Sequence, residues 1–320
     1  MAPSSLSGRR VLVTGGSGFL GRVVVGRLRE RGATVVAPRS ADYDLTDPAA
    51  TESLFAAESP ELVVHLAARV GGIGFNQVAP AQLYLDNLLM GTYVLEAARR
   101  HDVVRTVLVG TVCSYPKFTP VPFNEASLWD GYPEETNAPY GIAKKALLVH
   151  AQVNRAQYGQ RSGFLIPTNL FGPGDKFHPS VSHVIPALIK KCVEATERGD
   201  EKVEVWGTGR ASREYLYVDD AAEGIALATE SLDDPEPVNL GTDSEITIRE
   251  TVERIAELVG YQGELQWDPT KPDGQPRRRV DPRRAEAVLG WRAQVDFTEG
   301  LRQTIDWYLA HREQAERAPT

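Results

Sequence analysis

Short apolar runs alternate with amphipathic stretches along the first half of the chain, and each apolar run is rich in Val and Leu. Runs of this kind between turn residues predict buried strands, while the amphipathic stretches predict helices. The predicted strands cover 9–15, 33–38, 61–68 and 105–111, and the predicted helices cover 21–32, 80–102 and 140–158. This alternation predicts an α/β fold with a doubly wound parallel (Rossmann) sheet that carries helices on both faces.

The local composition of the chain changes at Pro167. Residues 167–183 are rich in Pro, Gly and Asn, which predicts a loop. Beyond them the pattern predicts helices over 184–197, 248–259 and about 298–312, with short strands near 203–209 and 236–241. These pieces predict a smaller α/β substrate domain that is interleaved with the first. The expected division gives 1–170 and about 214–240 to the Rossmann domain, and about 171–213 and 241–320 to the smaller domain.

Composition narrows the classes of function. Hydrophobic residues make up 42% and charged residues 24% of the 320 residues, and the formal net charge is −8. An acidic balance without a basic face argues against nucleic acid as a partner. The two cysteines, Cys113 and Cys192, favour reduced thiols over a disulfide framework. Since no signal-like start and no apolar run of about 18 residues is seen, we expect a cytoplasmic protein with no membrane partner.

A glycine-rich loop, TGGSGFLG over 14–21, follows the first predicted strand and opens a helix. Gly15, Gly18 and Gly21 have the spacing that lets a pyrophosphate approach the backbone N–H groups at a helix N-terminus. After the second predicted strand, Arg39 precedes the first acidic residue. An arginine there would meet the 2′-phosphate of NADP, so we expect NADPH/NADP⁺ and regard NAD as less favoured.

Tyr140 and Lys144 form a Y-x-x-x-K motif in a predicted helix, and this spacing places both side chains on one helix face. A neighbouring ammonium stabilises a phenolate, so the motif predicts a lowered pKa for Tyr140 and a role in proton transfer. Thr111, at the end of a predicted strand, would add a hydroxyl to the same substrate oxygen.

These segments together resemble the extended short-chain dehydrogenase/reductase family of nucleotide-sugar enzymes over nearly the whole chain. The matching strings, in the family's order, are TGGSGFLG, HLAA, Thr111, YGIAK, NLFGPGD, REYLYVDD and VNLGT. Longer strings resemble the GDP-L-fucose synthases within that family: AARVGGI (67–73), VCSYPK (112–117), KFHPSVSHVIPAL (176–188), VWGTG with Arg213, and KPDGQPR (271–277). Thr111 stands where serine is more common, and it keeps the hydroxyl.

The resemblance implies a bifunctional enzyme that epimerises carbons 3 and 5 of GDP-4-keto-6-deoxy-D-mannose and reduces carbon 4 with NADPH, giving GDP-L-fucose. A ketone at carbon 4 acidifies the protons on carbons 3 and 5, so the chemistry needs a base and an acid on opposite faces. Cys113 is the expected base and His183 the expected acid. Tyr140, assisted by Lys144 and Thr111, is the expected proton donor in the reduction.

The resemblance also implies binding residues for both ligands. The cofactor residues are expected to be Gly15, Gly16, Ser17, Gly18, Phe19, Leu20, Gly21, Arg39, Val109, Lys144, Pro167, Asn169, Leu170 and His183. The substrate residues are expected to be Lys191, Trp206, Arg213 and Asp273. The run 277–279 supplies three more arginines, which either bind the diphosphate or form a solvated charge patch. No metal is expected, and the expected assembly is a homodimer made by the helices around 82–99 and 140–158.

Two other functions stay open on the sequence alone. A related 3,5-epimerase, with or without reduction, could act on another GDP- or NDP-sugar such as a GDP-heptose. A non-catalytic NADP-sensing regulator is more remote, because both Tyr140 and Lys144 are present. A 4,6-dehydratase is excluded, since it would need an Asp-Glu pair directly after Thr111, where Val112 and Cys113 stand.

Overall fold

The computed structural model describes residues 5–71, 78–179, 181–271 and 273–317. Four residues of the family-like strings, Gly72, Ile73, Ser180 and Pro272, lie outside these ranges. The strands are β1 Arg10–Thr14, β2 Thr34–Val36, β3 Leu62–His65, β4 Arg105–Val109, β5 Ser162–Pro167, β6 Asn169–Phe171, β7 Lys202–Trp206, β8 Ser212–Arg213, β9 Tyr215–Tyr217, β10 Pro237–Leu240, β11 Ile246–Thr247 and β12 Glu264–Asp268.

The helices alternate with these strands. They are α1 Phe19–Glu30, α2 Pro48–Glu58, α3 Pro80–Arg100, α4 Ala138–Tyr158, α5 Val184–Arg198, α6 Val218–Ser231, α7 Ile248–Val259, α8 Arg283–Leu289, α9 Phe297–Ala310 and α10 Arg312–Ala315. Two 3₁₀ helices, Val112–Ser114 and Glu125–Trp129, lie between β4 and α4.

A six-stranded sheet forms the centre of the described chain, in the order β2-β1-β3-β4-β5-β10. Every neighbouring pair in it is parallel. Alternate side chains of each strand enter opposite layers, as the pleat requires. Val11 and Val13 pack among the apolar side chains of α1 and α6, whereas Leu12 packs with α2 and α3. The doubly wound α/β fold expected from the sequence is confirmed.

The direction of strand order reverses between β1 and β3, and this point positions the cofactor end of the site. β2 pairs with one side of β1 and β3 with the other. Loops that leave neighbouring strands at such a switch point form a crevice outside the carboxyl ends of the strands. The glycine loop after β1 lies in this crevice and touches the loop after β3 at Ala67.

A second apolar core lies beyond the central sheet and is built from later parts of the chain. It joins α5, α7 and α9 through side chains such as Ile189, Ile255 and Tyr308. Two short parallel ribbons, β6 with β9 and β7 with β12, run along it. The core of the central sheet instead contains Ala285 of α8 and Trp291, which follows this helix, and both are buried beside α6.

Candidate active site

The glycine loop is shaped so that no side chain could replace three of its glycines without displacing backbone or packed neighbours. A Cβ at Gly15, whose φ is +70°, would lie 2.7 Å from the Ala67 nitrogen, and one at Gly21 would lie 2.1 Å from the Gly15 oxygen. A Cβ at Gly16 would lie 2.7 Å from that of Ala37. Gly18 caps α1 without any side-chain hydrogen bond, and the first turn carries no acidic residue. The N–H groups of this turn therefore have no side-chain cap, and the loop forms a cradle that fits a dinucleotide pyrophosphate.

Arg39 lies on the surface just past β2, on the same side of the sheet as the glycine loop. Its guanidinium donates from Nε to Oδ2 of Asp42 over 3.3 Å, and both side chains are largely exposed. Exposed ion pairs of this kind contribute little stability, so the guanidinium can turn to another anion at small cost. Its position fits the 2′-phosphate of NADP.

The other expected cofactor residues follow from parallel strand ends. Val109 ends β4 and Pro167 ends β5, at the same edge of the sheet as the glycine loop. Asn169 and Leu170 begin the short strand beyond Pro167, where the Asn169 side chain donates to the Glu214 carbonyl over 2.9 Å. These residues therefore lie at the carboxyl edge of the sheet, where dinucleotides bind in doubly wound folds.

Close packing of two segments brings Tyr140 and Cys113 together. The 3₁₀ helix after Thr111 crosses the first turn of α4, and a Cβ at Gly141 would lie 2.5 Å from the Cys113 carbonyl oxygen. The Ser114 hydroxyl donates to the Gly141 carbonyl over 3.0 Å and holds the crossing. Thr111 caps the 3₁₀ helix by accepting from the Cys113 N–H over 3.2 Å. Gly141 and Ser114 thus set the geometry of the expected catalytic pair, and sequence reasoning did not single them out.

The predicted lowering of the Tyr140 pKa is wrong. Burial, and then the nearby Cys113, raise the pKa of Tyr140 well above its usual range. The ammonium of Lys144 lies 5.8 Å from the centre of the Tyr140 ring. Lys144 is itself only 2% exposed, and burial lowers its pKa to about 8. Desolvation disfavours the charged form of both groups, and here it outweighs their mutual stabilisation.

His65, in the HLAA string, has a structural position. Its Nδ1 is 2.8 Å from the Thr14 hydroxyl, which links the ends of β3 and β1 below the glycine loop. Burial, with Lys144 nearby, lowers the pKa of His65 to about 3. The imidazole is therefore neutral at physiological pH, and its Nε2 has no hydrogen-bond partner among the described residues.

The arginine run 277–279 splits into three different environments. Arg277 pairs with Glu245 at the surface, and Arg279 pairs with Asp243. Arg278 turns inward, is only 9% exposed, and donates from Nη1 to Sγ of Cys113 over 3.6 Å. Sequence reasoning treated these arginines alike, because nothing in the local pattern tells which one faces the cysteine.

Arg213 lies beside Arg278 and connects Cys113 to the outer part of the site. Burial and then Arg278 lower the pKa of Arg213 to about 10, which still leaves it charged at neutral pH. Its guanidinium donates to the carbonyls of Gln275 and Asp273, over 2.7 and 3.3 Å. The Asp273 carboxylate accepts from the Thr208 N–H and hydroxyl, both over 2.7 Å. Two of the four expected substrate residues, Arg213 and Asp273, are therefore in contact.

The other two, Lys191 and Trp206, form an open aromatic platform. The Trp206 ring is 60% exposed, although it belongs to β7. The ammonium of Lys191 lies 5.7 Å from its centre and that of Lys271 lies 5.4 Å from it. Cations beside an exposed indole suit a ligand that carries both an aromatic base and phosphates.

His183 immediately precedes α5 and leaves much of its surface open to solvent. Crowding by neighbouring groups nevertheless desolvates the imidazole, and together with Lys176 this lowers the pKa of His183. A group that is accessible and yet closely surrounded stands in a concave surface. His183 therefore precedes the helix that carries Lys191.

No helix within the described ranges is long and apolar enough to cross a membrane.

Comparisons with known proteins agree with the motifs. The model of the NAD dependent epimerase/dehydratase family matches residues 11–241. The chain is 43% identical over 309 residues to GDP-L-fucose synthase 1 of Arabidopsis thaliana, covering 96% of this chain and 95% of that protein. It is 38% identical over 318 residues to GDP-L-fucose synthase of Escherichia coli (strain K12), covering 96% and 99%.

A solved structure matches as well. The crystal structure of a GDP-L-fucose synthetase from Naegleria fowleri bound to NADP superposes with a TM-score of 0.88 at 28% identity, covering 97% of this chain and 95% of that one. The family resemblance read from the sequence strings is confirmed.

Proposed function

Because the chain belongs to the NAD dependent epimerase/dehydratase family, we propose that it converts GDP-4-keto-6-deoxy-D-mannose into GDP-L-fucose with NADPH. The observation that carries this proposal is the Cys113 thiol held beside Tyr140 and Arg278 at the end of β4. A plain 4-epimerase has no use for a thiol there, whereas a 3,5-epimerase needs a base at that point. The names of the relatives that are 43% and 38% identical support the same substrate.

Epimerisation uses the acidity that the carbon 4 ketone gives to its neighbours. The Cys113 thiolate takes the proton from carbon 3 or 5, and the Tyr140 hydroxyl donates a hydrogen bond to the oxygen that gains charge. His183 returns a proton on the opposite face. Burial, and then Lys176, lower the pKa of His183, which favours release of this proton to the substrate.

Reduction follows at carbon 4 in the same site. Bound NADPH would supply the hydride, and the Tyr140 hydroxyl would give its proton to the carbonyl oxygen. The raised pKa of Tyr140 suits this direction, because a donor must be protonated before the step. The buried ammonium of Lys144 then stabilises the phenolate that remains, and Thr111 orients the oxygen.

Each domain contributes one ligand site in this proposal. The residues that would hold the cofactor are Gly15 to Gly21, Arg39, Val109, Lys144, Pro167, Asn169, Leu170 and His183. The nucleotide sugar lies on the smaller domain, with Trp206 under the base and Lys191 and Arg213 on the diphosphate. The uncapped glycine cradle and the exposed Trp206 ring support these placements. The division at about 170, 213 and 240 belongs to the same proposal.

The assembly is proposed to be a cytoplasmic homodimer built on α3 and α4. These helices pack against each other. They nevertheless leave apolar side chains in solvent, namely Tyr84, Leu85, Val149 and Val153. A second copy of the same pair would cover this face as a four-helix contact.

The test combines two signals in one tube. The protein is incubated with GDP-4-keto-6-deoxy-D-mannose and NADPH in heavy water, while absorbance follows NADPH and NMR identifies the product. We expect loss of NADPH and GDP-L-fucose that carries deuterium at carbons 3 and 5. Cys113→Ser should abolish the deuterium at both carbons, because a serine hydroxyl is a far weaker base than a thiolate.

The matched control is Cys192→Ser, which changes a buried cysteine of α5 outside the site and should leave both signals intact. Deuterium uptake without loss of NADPH would show that the protein epimerises the sugar but does not reduce it, and would contradict the reductase part of the proposal. No change in either signal would contradict the substrate, and GDP-heptoses with a 4-keto group would then be tried in the same assay.

A further inference from the structure

We propose that Arg278 is a positioning residue that holds Cys113 as a reactive thiolate, through a hydrogen bond from Nη1 to the sulfur over 3.6 Å. The inference rests on the proposed function, since it gives a partner to the base of the epimerisation. The two residues are 165 positions apart in the chain, so only the fold brings them together. A guanidinium beside a sulfur favours its anionic form.

The guanidinium is held in one orientation by neighbours that do not belong to the reacting site. Its Nε donates to Oε1 of Gln275 over 3.2 Å, and Gln275 is fixed in turn by donating to the Lys117 carbonyl over 3.0 Å. The backbone of Arg278 is anchored as well, because its carbonyl accepts from the Glu214 N–H over 3.0 Å. These bonds leave Nη1 aimed at Cys113.

The groups around Arg278 also point to Cys113 as its anionic partner. No carboxylate within the described ranges forms an ion pair with Arg278, although the side chain is only 9% exposed. A buried cation without an anionic partner is costly, so this environment favours an anion nearby. The sulfur of Cys113 is the group in contact that can become one.

Within the described ranges, titratable groups act on Cys113 from several elements packed around it. Arg278 contacts the sulfur from the segment that follows β12. Arg213 in β8 and Tyr140 in α4 interact with Cys113 electrostatically. Arg213 and Arg278 are both cations near this sulfur. Arg213 is engaged by the carbonyls of Gln275 and Asp273, so Arg278 is the cation in direct contact with the sulfur.

The first experiment needs no substrate. Iodoacetamide labelling of Cys113 is followed by peptide mass spectrometry from pH 5.5 to 9.5 in wild type, Arg278→Gln, Arg278→Met and Arg278→Lys. Cys192 serves as an internal reference, because burial raises its pKa to about 11. The matched control is Arg277→Gln, which removes the neighbouring arginine from a surface ion pair.

We expect the two neutral variants to label Cys113 about tenfold more slowly at pH 7, with the midpoint of labelling about one pH unit higher. Arg278→Lys keeps a charge and should restore most of the labelling, whereas Arg277→Gln should match wild type. Arg278→Met has an apolar chain of similar length, so it carries the test if Arg278→Gln does not fold. Unchanged labelling in a folded neutral variant overturns the proposal.

The second experiment measures deuterium exchange at carbons 3 and 5 of GDP-4-keto-6-deoxy-D-mannose. The neutral variants should exchange about tenfold more slowly at pH 7 and recover as the pH rises. A higher KM with wild-type labelling and wild-type kcat would overturn the proposal and assign Arg278 to the diphosphate. If wild type exchanges nothing, the proposed function fails, while the labelling profile still decides the role of Arg278.

Discussion

At the scale of single residues, desolvation governs the chemistry of this site more than neighbouring charge does. The Y-x-x-x-K motif predicts an acidic tyrosine next to an ammonium, yet both Tyr140 and Lys144 are enclosed and each moves toward its neutral form. The desolvation of a buried charge costs more free energy here than the neighbouring groups return by stabilising it. The outcome is a tyrosine that keeps its proton, as a reductase requires of its proton donor.

Tyr140→Phe tests this assignment by separating the two half-reactions. Loss of the hydroxyl removes the proton for carbon 4, so NADPH oxidation should fall by about 10²- to 10⁴-fold, the usual contribution of a positioned acid. Deuterium uptake at carbons 3 and 5 should persist at a reduced rate, because Cys113 is still present. The measurement is the heavy-water assay, and equal losses in both signals would contradict the separation. Tyr132→Phe, an exposed tyrosine of the same region, is the control.

Asp175 gives a prediction for stability against pH. Its Oδ1 accepts from the Lys176 N–H over 2.7 Å, whereas its Oδ2 is buried without a partner among the described residues. Burial raises the pKa of Asp175 to about 7, from 3.8 in an unfolded chain. The native state therefore binds this proton more tightly, so the stability it gives is complete below pH 3.8 and is lost as the pH rises through 7.

Asp175→Asn should consequently gain stability relative to wild type as the pH rises from 5 to 8. The expected change in the difference of unfolding free energy is about 2 kcal/mol. Urea unfolding at pH 5, 6.5 and 8 measures it, with the exposed Asp130→Asn as control. Parallel stability curves for wild type and Asp175→Asn would show that Asp175 does not titrate in this window.

At the scale of elements, hydrophobic periodicity predicts the amphipathic helices and fails for a helix that is buried on most sides. The predicted helix over 248–259 coincides with α7, and the helix that carries Tyr140 extends to Tyr158 as expected. By contrast, the sequence pattern does not predict α6. α6 is buried along most of its length between α1 and the sheet, so its polar stripe is short, and Gly224 in its middle lowers its helix propensity. Asp219 and Asp220 in its first turn were the available signal.

The first turn of α1 offers a test of the cofactor cradle. In Gly21→Ala the new Cβ would meet the Gly15 oxygen at 2.1 Å, so the loop must move and NADPH affinity should fall at least about tenfold. Gly26→Ala in the same helix is the control, since its Cβ would meet nothing within 4 Å. That control should gain about 0.5–1 kcal/mol from helix propensity. Fluorescence titration with NADPH and thermal melting measure these two effects. Unchanged NADPH affinity in Gly21→Ala would contradict the proposed role of the glycine loop in binding the cofactor.

At the scale of the whole molecule, the parallel sheet decides which distant segments meet. Its carboxyl edge collects the loops after β1, β3, β4 and β5, while the segment after β12 returns to bring Arg278 onto Cys113. The same layering leaves α3 and α4 on an outer face, with apolar side chains in solvent. The site and the proposed dimer surface therefore share helix α4, which carries Tyr140 on its inner side.

Val153→Glu tests the dimer. Val153 is 51% exposed in the single chain, so a charge there should cost the fold little and should break a four-helix contact. We expect dimeric wild type and monomeric variant by light scattering coupled to size exclusion. Val288→Glu is the control, because Val288 is 41% exposed on α8, away from α3 and α4. A Val153→Glu dimer as stable as that of wild type would place the interface elsewhere.

The sequence by itself determined the fold class, the positions of six of the twelve described strands and six of the ten described α-helices, the glycine loop and the Y-x-x-x-K pair. These are local properties, because a period of 2 or 3.6 and a glycine spacing report on neighbouring residues in the chain. The tertiary structure decided which of Arg277, Arg278 and Arg279 faces Cys113, and in which direction the pKa of Tyr140 moves. Both depend on burial and on charges from segments far apart in sequence, which no local pattern contains.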